Sequence, residues 1–514
     1  MHLPESDPAT SAPTRLASEI LEAFIGGSQY LAENVRKLAQ MAAGEGAIAF
    51  EASRAIFSSL VEPLADSFEP GGVTLYNRIF SQVLQFCRQS QPWLDREVDR
   101  FGLKSEGDIL LRAEGLRPTS PNQRDPDQEG AGALSHPGRR PQQGRSSAGS
   151  RVMKAIVLSR ITLGADAAVT SILIERLKQG FPSAEIILIG GNKVEELFGG
   201  DRRISFQILE YGRRSLLIDR LSRWIELSRT VRSLTDGLRS DQYLVVDPDS
   251  RLTQLGLLPV CDAKSYFFFP SREYCFEIDA SIGALASDWS SQVFGGESLF
   301  PTVSPPAKDL KTGSEIVGQL KGDVNRRVVC LNFGVGGNEA KRVGLQFEQS
   351  VIEFLTGLGT KSPAVPSAPA IVLDRGTGEH ENALVDSILA RAGETGPRGR
   401  ALAIVEACED NLNDILRSGL SGVDLLVWRG RIGLLAGIIN SSDLYIGYDS
   451  MGQHIAAALG VRCVDVITGY GSQRFLQRWT PRGRGLVKVI ALGAETEIET
   501  ATARVERAVR EILS

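Results

Sequence analysis

MKAIVLSRITLGADAAVTSILIERLKQGFPSAEIILIG, residues 153–190, decides the fold. The apolar run MKAIVLS (153–159) ends in a polar loop, TSILIERLKQGF (170–181) repeats its apolar residues at helical spacing, and AEIILIG (184–190) is a second short apolar run. Strand, helix and strand in that order are the building unit of a parallel sheet. The texture continues through DQYLVVDPDS (241–250) and KSYFFFPS (264–271). A second series opens at RRVVCLNFGVGGN (326–338) and runs through PAIVLDRG (369–376), DLYIGYDS (443–450) and VRCVDVITG (461–469). A proline-rich stretch, 301–306, lies before that second series. The fold class expected is therefore α/β, with two Rossmann-like domains, 152–310 and 311–514, facing a cleft at the strand C-termini where a ligand would sit.

Upstream the composition changes. Residues 117–150, RPTSPNQRDPDQEGAGALSHPGRRPQQGRSSAGS, are dominated by proline, glycine, glutamine and serine, and read as a disordered linker. Before it, Leu16, Ile20, Phe24, Leu31, Val35 and Leu38 recur at helical spacing, as do Leu75, Ile79, Phe80, Val83 and Leu84. Pro63 and Pro70-Gly71-Gly72 interrupt the pattern, so 14–116 reads as a small helical domain. Its polar faces mix acids with bases, which favours helix packing over a membrane surface.

Bulk properties exclude several classes. A chain of 514 residues exceeds the size at which one core stops growing. The formal net charge of -5 gives no basic footprint for a nucleic-acid binder. The six cysteines are scattered without a CxxC pair, which argues against zinc and for free thiols. The start, MHLPESDPATSAP, has neither the basic nor the apolar region of a signal peptide, and no stretch reaches the ~18 apolar residues of a membrane span. A cytoplasmic location is expected, with attachment to the inner face of the membrane as the variant of it.

Chemistry-bearing residues lie at strand ends. Asp166 follows the first strand, and reads either as a helix cap or as a catalytic carboxylate at the cleft. NFGVGGNEAKR (332–342) puts three glycines after a strand, with Lys341 and Arg342 a turn later, either a phosphate site or a glycine turn followed by a solvated basic pair. It matches neither GxxxxGK[ST] nor GxGxxG. DRGTGEHEN (374–382) is a weaker polar loop containing Arg375. In YIGYDSMGQHIAAALGV (445–461), Asp449 and Ser450 end a strand and Gln453 to Leu459 start a helix, whose free N–H groups would suit a diphosphate. His454, one of four histidines, sits in its first turn. The alternative there is an N-cap with a packed histidine and no ligand.

Taken together these segments resemble the ADP-heptose:lipopolysaccharide heptosyltransferases, glycosyltransferase family 9, of the two-domain GT-B fold. The resemblance covers about 152–490. It rests on Arg160 and Gly164-Ala165-Asp166 with the family's Arg-to-Asp spacing, on GFPSAEIILIG, on the glycine and lysine loop, and on IGYDSMGQHIAAALG, where Asp449, Ser450, His454 and the alanines fall in register. Gly164 and Gly452 each stand one position from the family's glycine, and no Trp-Pro follows Lys341-Arg342. The resemblance implies inverting, metal-independent transfer from a nucleotide-diphosphate sugar, a co-substrate and not a cofactor, to a glycan, lipid-linked or protein acceptor. It makes Asp166 the base. Donor contacts fall to Asn332, Gly334, Lys341, Arg342, Arg375, Asp449, Ser450, Gly452, Gln453 and His454, with His454 donating to a diphosphate oxygen. Acceptor contacts fall to Arg160, Thr162, Asp247 and Arg251. Asp247 and Asp249 are also weighed as a metal pair, with acceptor contact or a loop cap preferred. The alternatives are a non-catalytic GT-B-like binding module, with the helical domain docking a protein partner, and a GT-B sugar-nucleotide epimerase.

Overall fold

The computed structural model describes residues 11–117, 152–212, 215–322, 326–361, 367–376, 378–392, 401–493 and 495–513. The linker expected at 117–150 falls outside these residues except for Arg117. Two parallel sheets organise the chain. The first has five strands, β1 Lys154–Leu158, β2 Glu185–Gly190, β3 Ile204–Ile208, β4 Tyr243–Asp247 and β5 Tyr266–Phe268, in the order β3-β2-β1-β4-β5. The second has seven, β6 Val328–Asn332, β7 Ala370–Asp374, β8 Ile404–Cys408, β9 Leu425–Arg429, β10 Leu444–Tyr448, β11 Cys463–Ile467 and β12 Val487–Ala491, in the order β12-β11-β10-β6-β7-β9-β8. Chain direction reverses across the sheet between β1 and β4 and between β6 and β10. The crevice outside such a switch point is where open parallel sheets bind ligands.

The two faces of the first sheet have different covers. Ala155, Val157, Ile186, Leu188, Leu244 and Val246 pack under the helices Ser171–Gly180 and Ile282–Phe294. Ile156, Leu158, Ile187, Ile189 and Val245 pack instead into a core formed with the N-terminal helices, through Ile56, Leu60, Ile79, Phe80 and Val83. Polar contacts tie the same surfaces. Leu217 N donates to Ser53 Oγ at 2.9 Å, Ser228 Oγ to Glu97 Oε1 at 2.7 Å, and the Arg220 guanidinium lies 3.6 Å over the Phe57 ring. The helical segment forms, with one hydrophobic core in common with the sheet, and is best described as the layer that covers one of its faces.

The helix Ala307–Lys321 enters the second unit and crosses the helix Ile432–Ser441 at a glycine pair. A Cβ on either Gly313 or Gly437 would collide with the other helix's backbone. Leu345–Lys361 and Ile498–Leu513 cover the far face of the second sheet. Among the described residues no helix is long and apolar enough to cross a membrane.

Candidate active site

The C-terminal edges of the two sheets meet, and the two sequence motifs meet with them. The helix Gly452–Ala458, which follows β10, packs on the short helix Leu163–Ala165 and the π-helical turn Asp166–Thr170, which follow β1. Contact is closest at Gly164, where a Cβ would stand 3.2 Å from His454 Cδ2, Met451 Cα and Ser450 O. The first displaced glycine is therefore a close approach between units. The second has its own cause. The Tyr445 phenol lies beneath the loop, 2.7 Å from where a Cβ on Gly447 would be, and a Cβ on Gly452 would collide with the same hydroxyl.

Asp166 is not the helix cap. Thr162, half-buried, holds that position, and Asp166 lies one turn in with 1% of its surface exposed. Its Oδ1 accepts from Arg160 N and Thr170 Oγ1, and its Oδ2 from Ser159 Oγ, all at 2.7 Å. Burial raises its pKa against the pull of those donors. Between Arg160 and Thr162, Ile161 is left-handed with φ 75°, a strained conformation for a β-branched residue. Asp249, after β4, is left-handed too, with φ 70°.

Of the expected acceptor residues, Arg160 and Asp247 are tied into the loops after β4 and β5. Arg160 donates to Pro248 O at 2.5 Å and to Ser271 Oγ at 3.0 Å, and burial lowers its pKa to about 10. Asp247 is fully buried and accepts from Ser250 N at 2.7 Å, Thr253 Oγ1 at 2.5 Å and Tyr266 OH at 2.6 Å. It caps the loop after β4, one of the two roles expected for it, with burial raising its pKa to about 6. Asp249 pairs with Arg272 at 2.5 Å. Among the described residues no three His, Cys, Asp or Glu side chains gather as metal ligands. Arg251 reaches Glu62 of the helical segment at 3.4 Å.

Among the expected donor residues, Lys341 Nζ lies 2.5 Å from Asp449 Oδ2, and Gln453 Nε2 donates to Asp449 Oδ1 at 3.2 Å. Gln453 Oε1 accepts from Ser450 N at 2.9 Å, so this side chain occupies an N–H that a diphosphate would use. Ser450 Oγ is buried without a hydrogen-bond partner, as are both carboxylate oxygens of Asp465 on β11. Burial beside Asp449 raises the Asp465 pKa well above the carboxylate range, with Lys341 opposing. Sequence reading missed Asp465 because an acid inside an apolar strand gives no motif. Asn332 Nδ2 donates to Asp374 at 2.5 Å and its Oδ1 accepts from Gly334 N at 2.8 Å, which shapes the start of the glycine loop.

Three expected donor contacts have other employment. Arg342 forms a two-pronged pair with the fully buried Glu348, at 2.9 and 2.8 Å. Arg375 is held by Asp386, by Glu406 at 3.0 Å and by Asn382 at 3.0 Å. His454 is 4% exposed, its ring centre 5.9 Å from that of Trp479, and burial lowers its pKa to about 4. Burial therefore favours the neutral imidazole in the closed junction.

A cavity of about 490 Å³ lies at the opposite edge of the second sheet, lined by Gly200, Pro305, Asn440, Gly460 and Arg484 among others. It adjoins the N-terminal ends of β3 and β11, and neither Asp166 nor Lys341 lines it.

No protein-family model and no curated protein matches the chain. Solved structures do. The chain is similar to the glycosyl transferase family 9 structure from Veillonella parvula, at 14% identity over 72% of this chain and 99% of that one, with a TM-score of 0.48. It is similar to the E. coli ADP-heptose lps heptosyltransferase II, at 15% identity over 70% and 98% of the two chains with a TM-score of 0.45. It is also similar to the E. coli heptosyltransferase WaaC with ADP, at 11% identity over 70% and 100% with a TM-score of 0.42.

Proposed function

We infer that the chain is a glycosyltransferase that moves a sugar from a nucleotide-diphosphate donor to an acceptor hydroxyl, by an inverting displacement that needs no metal. The observation that carries this reading is the junction itself. A buried carboxylate at the first sheet's switch point lies two residues from Gly164, which touches the Ser450–His454 turn at the second sheet's switch point, and Lys341 pairs with Asp449 at the start of that turn. A base on one side of the reacting carbon and a cation with open N–H groups on the other are what such a displacement requires.

In this reading Asp166 takes the acceptor proton. Its raised pKa makes it a better base than a solvated carboxylate, and it acts after releasing the hydroxyl donor Ser159 or Thr170. Lys341 leaves Asp449 for the departing diphosphate, joined by Ser450 Oγ and by N–H groups freed when Gln453 turns away. Arg160, Thr162 and Arg251 border the acceptor side, which takes a glycan, lipid-linked or protein hydroxyl. All of these roles require the two units to part. The nucleotide sugar is consumed as co-substrate.

A second reading, a non-catalytic binding module, is favoured by one specific observation. Lys341, Arg342 and Arg375 are each held by protein carboxylates, and Asp166 by three donors. The two readings separate in a thermal-shift screen against nucleoside diphosphates and nucleotide sugars, followed by product analysis with the best donor. Transfer or donor hydrolysis that Asp166→Asn abolishes while donor binding persists supports the transferase. Binding without turnover for any donor sinks it, and a changed sugar without an acceptor points to an epimerase. The anomeric configuration of the product by NMR tests inversion, and turnover in a chelator tests metal independence.

A further inference from the structure

The turn between the helices Glu62–Asp66 and Pro70–Ser90 behaves unlike the rest of the N-terminal segment. The apolar side chains of those helices pack into the core shared with the first sheet, whereas Phe68 is buried in the core that joins the two α/β units. Its ring meets Phe475 and Trp479 of the second unit, each at 6.4 Å and edge-on. Phe68 is left-handed, with φ 54°, which an aromatic residue adopts only where packing holds it.

Acids flank the ring on both sides and grip arginines of both units. Glu62 reaches Arg251 at 3.4 Å and Asp66 reaches Arg272 at 3.7 Å, while Ala65 O accepts from Arg272 Nε at 2.9 Å. Those partners belong to the first unit. Glu69 reaches Arg474 of the second at 3.7 Å, and Arg474 itself donates to Phe276 O of the first at 2.7 Å. Beside it Arg478 donates to Ile278 O and Ala280 O, at 2.7 and 2.8 Å. One turn thus touches both units at the edge where their strand ends meet.

We propose that residues 62–69 form a latch that holds the two units closed over Asp166 and Lys341, and that releasing the latch opens the junction. Phe68 supplies most of the grip and the acidic residues fix its register. The proposal concerns opening alone and stands whether or not the junction is catalytic.

Hydrogen exchange followed by mass spectrometry on the full chain tests it, comparing amides of 473–479 and 450–454 with those of β1 and β6. Phe68→Gly removes the ring and suits the left-handed backbone. It is expected to speed exchange at the junction on the order of a hundredfold. Glu69→Ala, at an exposed position that threatens folding little, is expected to speed it about two- to fivefold. Exchange in β1 and β6 stays unchanged in both. The charge swap Glu69→Arg with Arg474→Glu is expected to bring the rate back toward that of the unaltered chain. Junction exchange unchanged in both single variants overturns the latch, and so does a Phe68→Gly chain whose sheets accelerate as much as its junction. If Phe68→Gly does not fold, Glu69→Ala and the swap decide, and equal exchange in these and the parent overturns the proposal.

Discussion

The hydroxyl of Tyr445 occupies the space in which a side chain at Gly452 would begin. The phenol is fully buried without a hydrogen-bond partner, between Cys330 and Cys463 on the neighbouring strands. Gly452→Ala is expected to destabilise the chain by about 1 to 3 kcal/mol through overpacking. Tyr445→Val in the same chain should recover part of that loss. Chemical denaturation of the two single variants and the double gives the coupling, and additive effects would count against the contact.

Arg342 and Glu348 make a second local prediction. With the glutamate fully buried and the arginine mostly so, Glu348→Gln leaves the guanidinium only its exposed partner Glu339, at 2.8 Å, and should cost about 1 to 3 kcal/mol. Affinity for a nucleoside diphosphate, measured at a temperature where the variant is still folded, should be unchanged. A specific loss of binding would return Arg342 to the donor site.

Lys341 should behave the other way. Its removal strands the buried Asp449 carboxylate, at a cost of about 1 to 3 kcal/mol after discounting for the partial exposure of the lysine. Lys341→Ala should also abolish the thermal shift produced by a nucleoside diphosphate. Adding Asp449→Asn should restore stability without restoring the shift. If the double variant still responds to the diphosphate, Lys341 is not the phosphate cation.

The histidine gives a pH signature. His454 holds its proton less firmly folded, at about 4, than unfolded, so it contributes stability above pH 6.5 that is lost as pH falls through the interval to 4. Asp247 and Asp374, both raised to about 6, act with the opposite slope between their unfolded values and pH 6. Subtracting a His454→Gln chain isolates the histidine. The stability difference between the two should shrink by up to about 3 kcal/mol from pH 7 to pH 4. A difference independent of pH would show that His454 titrates normally.

Residues 153–190 carried enough to place β1, β2 and the helix between them, because a fully buried parallel strand must be a short apolar run. Strands β3, β8 and β12 lie at or next to the sheet edges, where Ser205, Gln207, Glu406 and Lys488 break such a run. β9 is interior and apolar, LLVWR, and was legible but not read. The two motifs stood out, and the structure puts them in contact. What could not be read was the pairing of each charge. Arg342 meets Glu348 six residues away, but Arg272 meets Asp249 across a loop and Asp66 across the chain. Long-range partners leave no local period, and Phe68 gave no sign that it would sit between domains.

That the N-terminal helices share a core with the first sheet has a consequence for how the protein is made. Arg112 donates to Gly256 O at 3.3 Å, across 144 residues of sequence. At typical synthesis rates that partner emerges roughly 7 to 30 s after the arginine. Until β1, β2 and β4 have followed within that interval, Ile56, Leu60, Ile79, Phe80 and Val83 have no sheet to cover. The nascent chain presents an apolar surface that only strands made after it can shield, a natural client for a ribosome-associated chaperone.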